Sequence, residues 1–430
     1  MNGPPDVPAV ADDHNRVPES LQDRGFQPVR RRFLAGMAVA GGTVLGGPLH
    51  ATARTFGRPP DEYGERSAFE HHVVRRIQRY QIEATSSLTP LAALHGMITP
   101  SALHFERHHA GIPHLDPHRR HLLIHGLVER PLRLDLAALR RYPAVSRFHF
   151  VECAGNSAVE WHRAGMPDVQ GTHGLTSCSQ WTGVPLSTLL REAGVRPGGA
   201  WVLAEGADAC LMTRSVPLAK CLDDVLVAYA QNGEALRPEQ GYPLRLLVPG
   251  WEGNINIKWL RRLEVGDRPF MTREETAKYT DLRGNGRAEQ FTFVMGPKSV
   301  ITTPSGGVHL QRPGFHEIRG LAWSGHGRIA AVEVSTDGGR RWQQAHLDGP
   351  TLPKCHTPFT FAWRWQGKPA LLQSRCRDEL GTQQPTIAAL RVARDLHPRL
   401  TDYHQNGIQT WAVDADGRVT NGNHRDAALG

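Results

Sequence analysis

Cys153 closes an alternating segment, Phe148-His-Phe-Val-Glu-Cys153-Ala-Gly-Asn156. Alternation of aromatic and β-branched residues reads as a strand, and the small residues after it read as a turn. The thiol would then stand at the strand's end, beside backbone N–H groups. A thiolate so placed is a soft ligand for a soft or high-valent metal. A lone Cys is also, most often, a small buried hydrophobe, and this segment by itself leaves both roles open. A second segment, Gly253-Asn-Ile-Asn-Ile-Lys258, is a Gly-rich turn ending in a cation. Such a turn can seat an anion, although turns of this kind are common.

These residues need elements to hold them. From about 101 to 290 short strands alternate with helices. His121–Leu127 and Gly199–Ala204 read as strands, and Asp135–Arg141 and Pro185–Ala193 as helices. Gly241–Pro249 reads as a further strand between breakers. This is an α+β domain. The texture changes from about 291. Gly320–Ser324, Ile329–Ser335, Arg341–Gln343 and Phe359–Trp365 are short strands separated by turns such as Asp337-Gly-Gly339, the pattern of an all-β sandwich over 291–411. Residues 54–100 read as a lead-in, with Val73, Val74 and Ile77 spaced for one face of a helix over Glu70–Arg79. Residues 412–430 are polar and read as an open tail.

A chain of 430 residues with 44 Gly and 31 Pro is a loop-rich globular protein of two or three domains rather than a helical bundle. The net charge of +8 comes from scattered Arg and Lys without a nucleic-acid-binding motif, so anionic small ligands account for it better than nucleic acid. The six Cys form no C-x-x-C pair, which argues against a zinc ribbon, an iron–sulfur centre or haem attachment. Cys355–Cys376 is a possible disulfide, although spacing does not establish pairing. Arg30-Arg-Arg-Phe-Leu34, the apolar stretch Leu34–Leu49 and Ala51-Thr-Ala53 make a twin-arginine export signal over 1–53. The expected destination is the periplasm, with Arg54 near the mature start and no membrane span in the mature protein.

Cys153-Ala-Gly-Asn156 resembles the molybdenum-ligand motif of the sulfite oxidase family, and the order of several flanking motifs agrees from about residue 88 to 411. Trp181–Gly194 is similar to the segment that follows in that family. Phe105-Glu-Arg-His-His109 resembles Phe-x-Arg-Asn-His, Glu205-Gly-Ala-Asp208 a pterin-contacting segment, and Gln240-Gly-Tyr-Pro-Leu-Arg245 resembles His-Gly-Phe-Pro-x-Arg, with Gln240 in place of histidine. Gly253–Trp259 resembles Gly-x-x-x-Val-Lys-Trp, and Tyr279 stands where the family places an active-site tyrosine. The resemblance implies a molybdenum–molybdopterin cofactor, one per chain. Cys153 would be the metal ligand, and Cys153, Arg107 and Tyr279 the catalytic residues. The cofactor shell would be Phe105, Glu106, Arg107, His108, His109, Asp208, Gln240, Arg245, Asn256, Ile257 and Lys258. It also implies a molybdopterin-binding α+β domain followed by an immunoglobulin-like dimerisation sandwich, and hence a homodimer.

Two departures select a branch. Sulfite-oxidising relatives carry an arginine just after Cys-Ala-Gly-Asn, where this chain has Ser157-Ala158; Arg163 is the nearby cation that could compensate. No haem motif is present, so electrons must pass to a partner. Gly171-Thr-His-Gly174, Glu275–Thr280 and Tyr403–Trp411 look most like the catalytic subunit of sulfane dehydrogenases. That subunit oxidises sulfur held on a carrier protein and reduces a c-type cytochrome subunit. The alternative is a cytochrome-linked sulfite dehydrogenase acting on a small sulfur oxyanion. A periplasmic binding protein built on the sandwich, the reading from a different class, would need no such arrangement of residues 105–279.

Overall fold

In the computed structural model the alternating segment before Cys153 forms the strand Val145–Glu152. The structure describes residues 57–79, 84–396 and 402–423; the export signal expected over 1–53 lies outside them. The chain divides at Glu65 into two units. Within the described part of the first unit, Arg58 pairs with Asp61 and, at 2.7 Å, with Glu65. The second unit, Arg66–Gly430, holds every element that positions the candidate site.

Val145–Glu152 pairs antiparallel with Thr176–Pro185, which pairs with Leu226–Gln231. Arg245–Leu247 and Glu234–Ala235 add to the latter strand and complete this sheet. A second sheet runs Leu132–Leu134, Leu122–Gly126, Leu260–Gly266, Trp201–Gly206, Thr213–Pro217. Its one parallel pairing joins Leu122–Gly126 to Leu260–Gly266, so the chain between them must cross over, and helix Leu186–Ala193 lies within that crossover. This helix buries Leu186, Leu189, Leu190 and Ala193, the i, i+3, i+4, i+7 stripe, and stops at Gly194, whose φ of 69° is left-handed. Its apolar face joins Leu122, Ile124, Val184, Val202 and Leu263 in one core.

The second half is all-β. One sheet orders Lys298–Thr303, Gly314–Trp323, Thr357–Trp365 and His346–Leu347; the other orders Gln343–Gln344, Ile329–Ser335, Ala370–Asp378, Thr410–Val413 and Val419–Asn421. Trp323, Trp411, Ile318, Val332, Phe359 and Leu372 fill the core of this half. The expected α+β then all-β order is what the chain adopts.

Four local expectations need correction. Residues 70–79 are not helical: Arg76–Arg79 is a strand paired with Thr85–Leu88, and Val74 and Ile77 stand 49% and 66% exposed. Ile77 suits a strand, Val73 and Val74 lie before it outside any regular element, and a partner strand at Thr85–Leu88 outweighs a weak helical spacing. The strand expected over Gly241–Pro249 shrinks to Arg245–Leu247, because Pro243 has no N–H for the ladder. Cys355 and Cys376 are both buried free thiols. Residues 412–423 are not an open tail either. Thr410–Val413 turns back on Val419–Asn421, and Val413 and Val419 are buried in the core. Two apolar residues at hairpin spacing sufficed within an otherwise polar sequence. Val413→Asp should therefore destabilise the protein by about 3 kcal/mol or more, as an unpaired buried carboxylate does. Urea denaturation would measure it; an unchanged midpoint would place this hairpin outside the core.

Candidate active site

The strand Val145–Glu152 ends where Cys153 N–H donates to Leu175 O at 3.0 Å. The chain then turns: Asn156 N–H donates back to Cys153 O at 2.9 Å, and Ser157 takes a left-handed φ of 67°. Asn156 braces this turn with its side chain, accepting from Leu175 N–H at 3.1 Å and donating to Glu152 Oε1 at 2.9 Å. The Cys153 thiol thereby lines a cavity that opens to solvent. Gly253 lets a second loop approach it: a Cβ there would lie 2.6 Å from Glu152 O and 3.1 Å from Cys153 Cα.

That cavity gathers residues from six separated segments. Phe105, Arg107, His108, His109, Cys153, Asp208, Gln240, Arg245, Asn256, Ile257, Lys258 and Tyr279 all line it. Glu106 does not. Its carboxylate lies behind the wall, paired with Arg75 and accepting from His108 Nε2 at 2.7 Å. Asn256 lines the cavity, but its amide is engaged by Val248 N–H and Glu252 O. Asp208 is held by Met212 N–H at 3.1 Å and the Cys210 thiol at 2.9 Å. Gln240, standing in for histidine, donates to Phe105 O at 2.9 Å and so ties two walls together. Arg163 is exposed and lies outside the cavity wall, so it does not replace the cation missing at Ser157.

The electrostatics are lopsided. Arg245 is buried against the Trp181 ring at 4.7 Å and, among the described residues, bonds only to oxygens of Gln240 and Asn256, at 3.2–3.4 Å. Its Nε has no partner among the described residues, and burial pushes its pKa down to about 9. Lys258 donates to Arg107 O, Glu239 O and His108 Nδ1 at 2.9–3.2 Å; burial first, then Arg245, lowers its pKa well below the usual lysine value. Neither cation is hydrogen-bonded to a carboxylate among the described residues. A buried cation without a counter-anion is costly, and an anion in the cavity would relieve that cost for both. His108 is held neutral, its pKa lowered to about 2 by burial and by Lys258.

Tyr279 follows the short helical turn Glu274–Lys278, and its hydroxyl lies 3.1 Å from His109 Nε2. Burial raises its pKa, and burial lowers that of His109 to about 4, so both are uncharged near neutrality. Beneath the Tyr279 ring lies the Arg214 guanidinium, 5.1 Å from the ring centre and donating to Asn254 Oδ1 at 2.5 Å. Sequence reasoning missed Arg214, Asn254, Met212 and His104. His104 immediately precedes the Phe105 segment and offers an unpartnered Nε2 in the wall. Arg214 sits in the short strand Thr213–Pro217, and only the fold brings it under the tyrosine.

Residues 109–274 match the oxidoreductase molybdopterin binding domain, and residues 289–409 the Mo-co oxidoreductase dimerisation domain. The crystal structure of the sulfane dehydrogenase SoxCD from Paracoccus pantotrophus superposes with a TM-score of 0.83 and 48% identity, covering 86% of this chain and 96% of that one. The chain belongs to the molybdopterin oxidoreductase family of sulfite oxidase and sulfane dehydrogenase. Mitochondrial sulfite oxidase of Mus musculus is 34% identical over 295 residues, 64% of this chain and 53% of that protein. Nitrate reductase [NADH] 1 of Oryza sativa subsp. japonica is 34% identical over 323 residues, 64% of this chain and 34% of that protein. The chain thus spans about half the length of the sulfite oxidase and a third of the nitrate reductase.

The cavity suits the family's cofactor on its own chemistry. Unpaired buried cations fit a phosphate, and an unpartnered donor at Arg245 and acceptor at His104 fit a pterin edge. Among the described residues no three His, Cys, Asp or Glu side chains are placed to hold a metal together, so a metal at Cys153 must bring its other ligands with it. Arg245→Met should lower bound molybdenum about tenfold or more, the loss expected of a charge-assisted phosphate contact. The same change should leave the cofactor-free protein as stable or more so, since a lone buried charge is removed. Elemental analysis and calorimetry would read the two effects; full metal content in the variant would dissociate Arg245 from the cofactor.

Proposed function

We propose that this protein is the catalytic subunit of a molybdenum-dependent sulfane dehydrogenase, oxidising sulfane sulfur held on a carrier protein and delivering electrons to a c-type cytochrome. The observation that carries it is the 48% identity to sulfane dehydrogenase SoxCD over nearly all of that chain, against 34% over about half of the sulfite oxidase. The residue after Cys153-Ala-Gly-Asn156 supports the choice. By the motif resemblance Ser157 stands where sulfite-oxidising relatives carry an arginine, and a persulfide, at most a monoanion, needs fewer cationic partners than a small dianion.

When bound, the cofactor supplies two-electron oxygen-atom transfer to sulfur. Cys153 would hold the metal by its thiolate, and Arg245 and Lys258 would neutralise the pterin phosphate. Phe105, His104, His108, Gln240 and the main chain at Asn256 and Ile257 would wall the pterin from water. Glu106 acts one step back, fixing the His108 ring through Nε2. Arg107 and the Tyr279 hydroxyl would orient sulfur-bound oxygens as negative charge grows, the place where preformed donors stabilise a transition state. His109 accepts the alternative hydrogen bond of Tyr279, and Arg214 beneath the ring favours a donating hydroxyl.

Export by the twin-arginine route to the periplasm, and pairing of two copies through the all-β half, belong to this proposal. The match to a dimerisation domain supports the second. Among the described residues no helix is long and apolar enough to cross a membrane. The second reading, a cytochrome-linked sulfite dehydrogenase, rests on the sulfite oxidase relatives. Purified protein offered carrier-bound persulfide or sulfite, with cytochrome c as acceptor, separates them: turnover on the persulfide is expected, and turnover on sulfite alone selects the second.

Cys153→Ser exchanges a soft donor for a poorly ionised hydroxyl, and turnover should fall about 100-fold or more with the fold intact. Active protein holding zinc, or no metal, would end the molybdenum reading. Arg107→Gln should lower kcat/KM by about 10- to 100-fold while molybdenum content stays near one per chain. Loss of the metal in that variant would move Arg107 from the substrate to the cofactor.

A further inference from the structure

Glu152, the residue before Cys153, is fully buried, and both of its carboxylate oxygens are engaged from the all-β half. Oε1 accepts from Lys298 Nζ at 2.9 Å as well as from Asn156, and Oε2 accepts from Trp323 Nε1 at 2.7 Å. Lys298 and Trp323 are themselves 0% exposed. They face each other as direct partners across one antiparallel pair, Lys298–Thr303 with Gly314–Trp323, so the two donors leave the same rung of one ladder. Lys298 also reaches Asn156 O at 3.4 Å, and His404 N–H donates to Ala154 O at 2.6 Å. The turn that presents the thiol is therefore gripped at Glu152, Ala154 and Asn156 by residues at least 140 positions away.

A buried ion pair is poor value as a stabiliser, because desolvating both charges offsets their attraction and apolar residues of similar size often do better. What it does well is hold geometry, since each partner becomes expensive to misplace. Here the geometry held is that of the turn carrying the thiol. Burial lowers the Lys298 pKa, and Glu152 and then the Cys153 sulfur oppose that shift, which puts the sulfur within the ammonium's field.

We propose that Lys298 and Trp323 are positioning residues for Cys153: acting through Glu152 and Asn156, they set the orientation and electrostatic surroundings of the thiolate, so that the all-β half is a working part of the redox site as well as a dimerisation domain. The inference rests on the reading of Cys153 as the molybdenum ligand.

The test compares full-length holoenzyme carrying Lys298→Met, Glu152→Gln, both together, or Trp323→Phe. Molybdenum per chain, Tm, kcat, KM and the EPR spectrum of the singly reduced metal are measured on each. Lys298→Met alone should lower Tm most, leaving a carboxylate buried without its cation. The double variant should recover much of that loss. Molybdenum content should stay within about twofold in the double variant and in Trp323→Phe, because the phosphate contacts are untouched. Both should nevertheless show shifted EPR parameters and a kcat lowered about tenfold at little-changed KM, the signature of an interaction felt in the transition state. If Lys298→Met does not fold, the double variant and Trp323→Phe decide. A wild-type spectrum and kcat in those two would overturn the proposal and leave the pair a structural staple. Wild-type protein without molybdenum would instead remove the ligand assignment of Cys153, a failure separate from that of the positioning role.

Discussion

Placing positive charge in a cavity wall without a hydrogen-bonded carboxylate is costly, and among the described residues this chain does it twice at one cavity, with Arg245 buried and Lys258 half-buried. Arg245 and Lys258 come from neighbouring segments, Arg245–Leu247 and the loop before Leu260–Gly266, and both face inward. Among the described residues Arg245 bonds to carbonyl and amide oxygens, and Lys258 to two carbonyl oxygens and the His108 ring, in place of carboxylates. Such a site is incomplete until an anion enters, and the surrounding architecture makes sense once that is granted. Gln240 ties the Phe105 segment to the Arg245 wall, Glu106 and Arg75 lock the back of His108, and Gly253 lets the Lys258 loop press against the strand that ends at Cys153.

The thiol and the cations are served by different parts of the molecule. The α+β half supplies the cation wall and the strand. The all-β half supplies Lys298 and Trp323, which close on the carboxylate preceding the thiol. The two halves belong to one unit from Arg66 onward, and the contacts at Glu152 join them. Removing the second half would strip Glu152 of its cation and of its indole donor at once.

By the motif resemblance Ser157 stands where sulfite-oxidising relatives carry an arginine; its hydroxyl is buried, unpartnered among the described residues and set behind the cavity wall. Arg163 does not fill the gap. A cation does lie beneath Tyr279, where Arg214 contacts the ring and not the cavity itself and pairs with Glu275 at 3.8 Å. A cation placed there tunes a hydroxyl donor without offering a direct seat to a dianion, in keeping with a less charged substrate.

Much of this was legible in the residues alone. Strand alternation before Cys153, the apolar stripe of Leu186–Ala193 and the turn-bounded strands after 291 are local patterns, set by side-chain periodicity over a few residues. The ordered motifs likewise named nearly all of the cavity wall, because each motif is a short contiguous segment. What the sequence could not decide is whatever depends on meeting a distant partner. Val73, Val74 and Ile77 carry a helical spacing, yet Ile77 becomes strand because Thr85–Leu88 is there to pair with, and Val73 and Val74 lie in the irregular stretch before it. The polar end of the chain holds Val413 and Val419, whose burial depends on a sheet already formed. Glu106 belongs to a cofactor motif but turns away to Arg75 and His108. Arg214, Lys298 and Trp323 sit in unremarkable strands, and only tertiary packing carries them to Tyr279 and Glu152. Periodicity is a property of neighbours in the chain; desolvation and charge pairing are properties of neighbours in space.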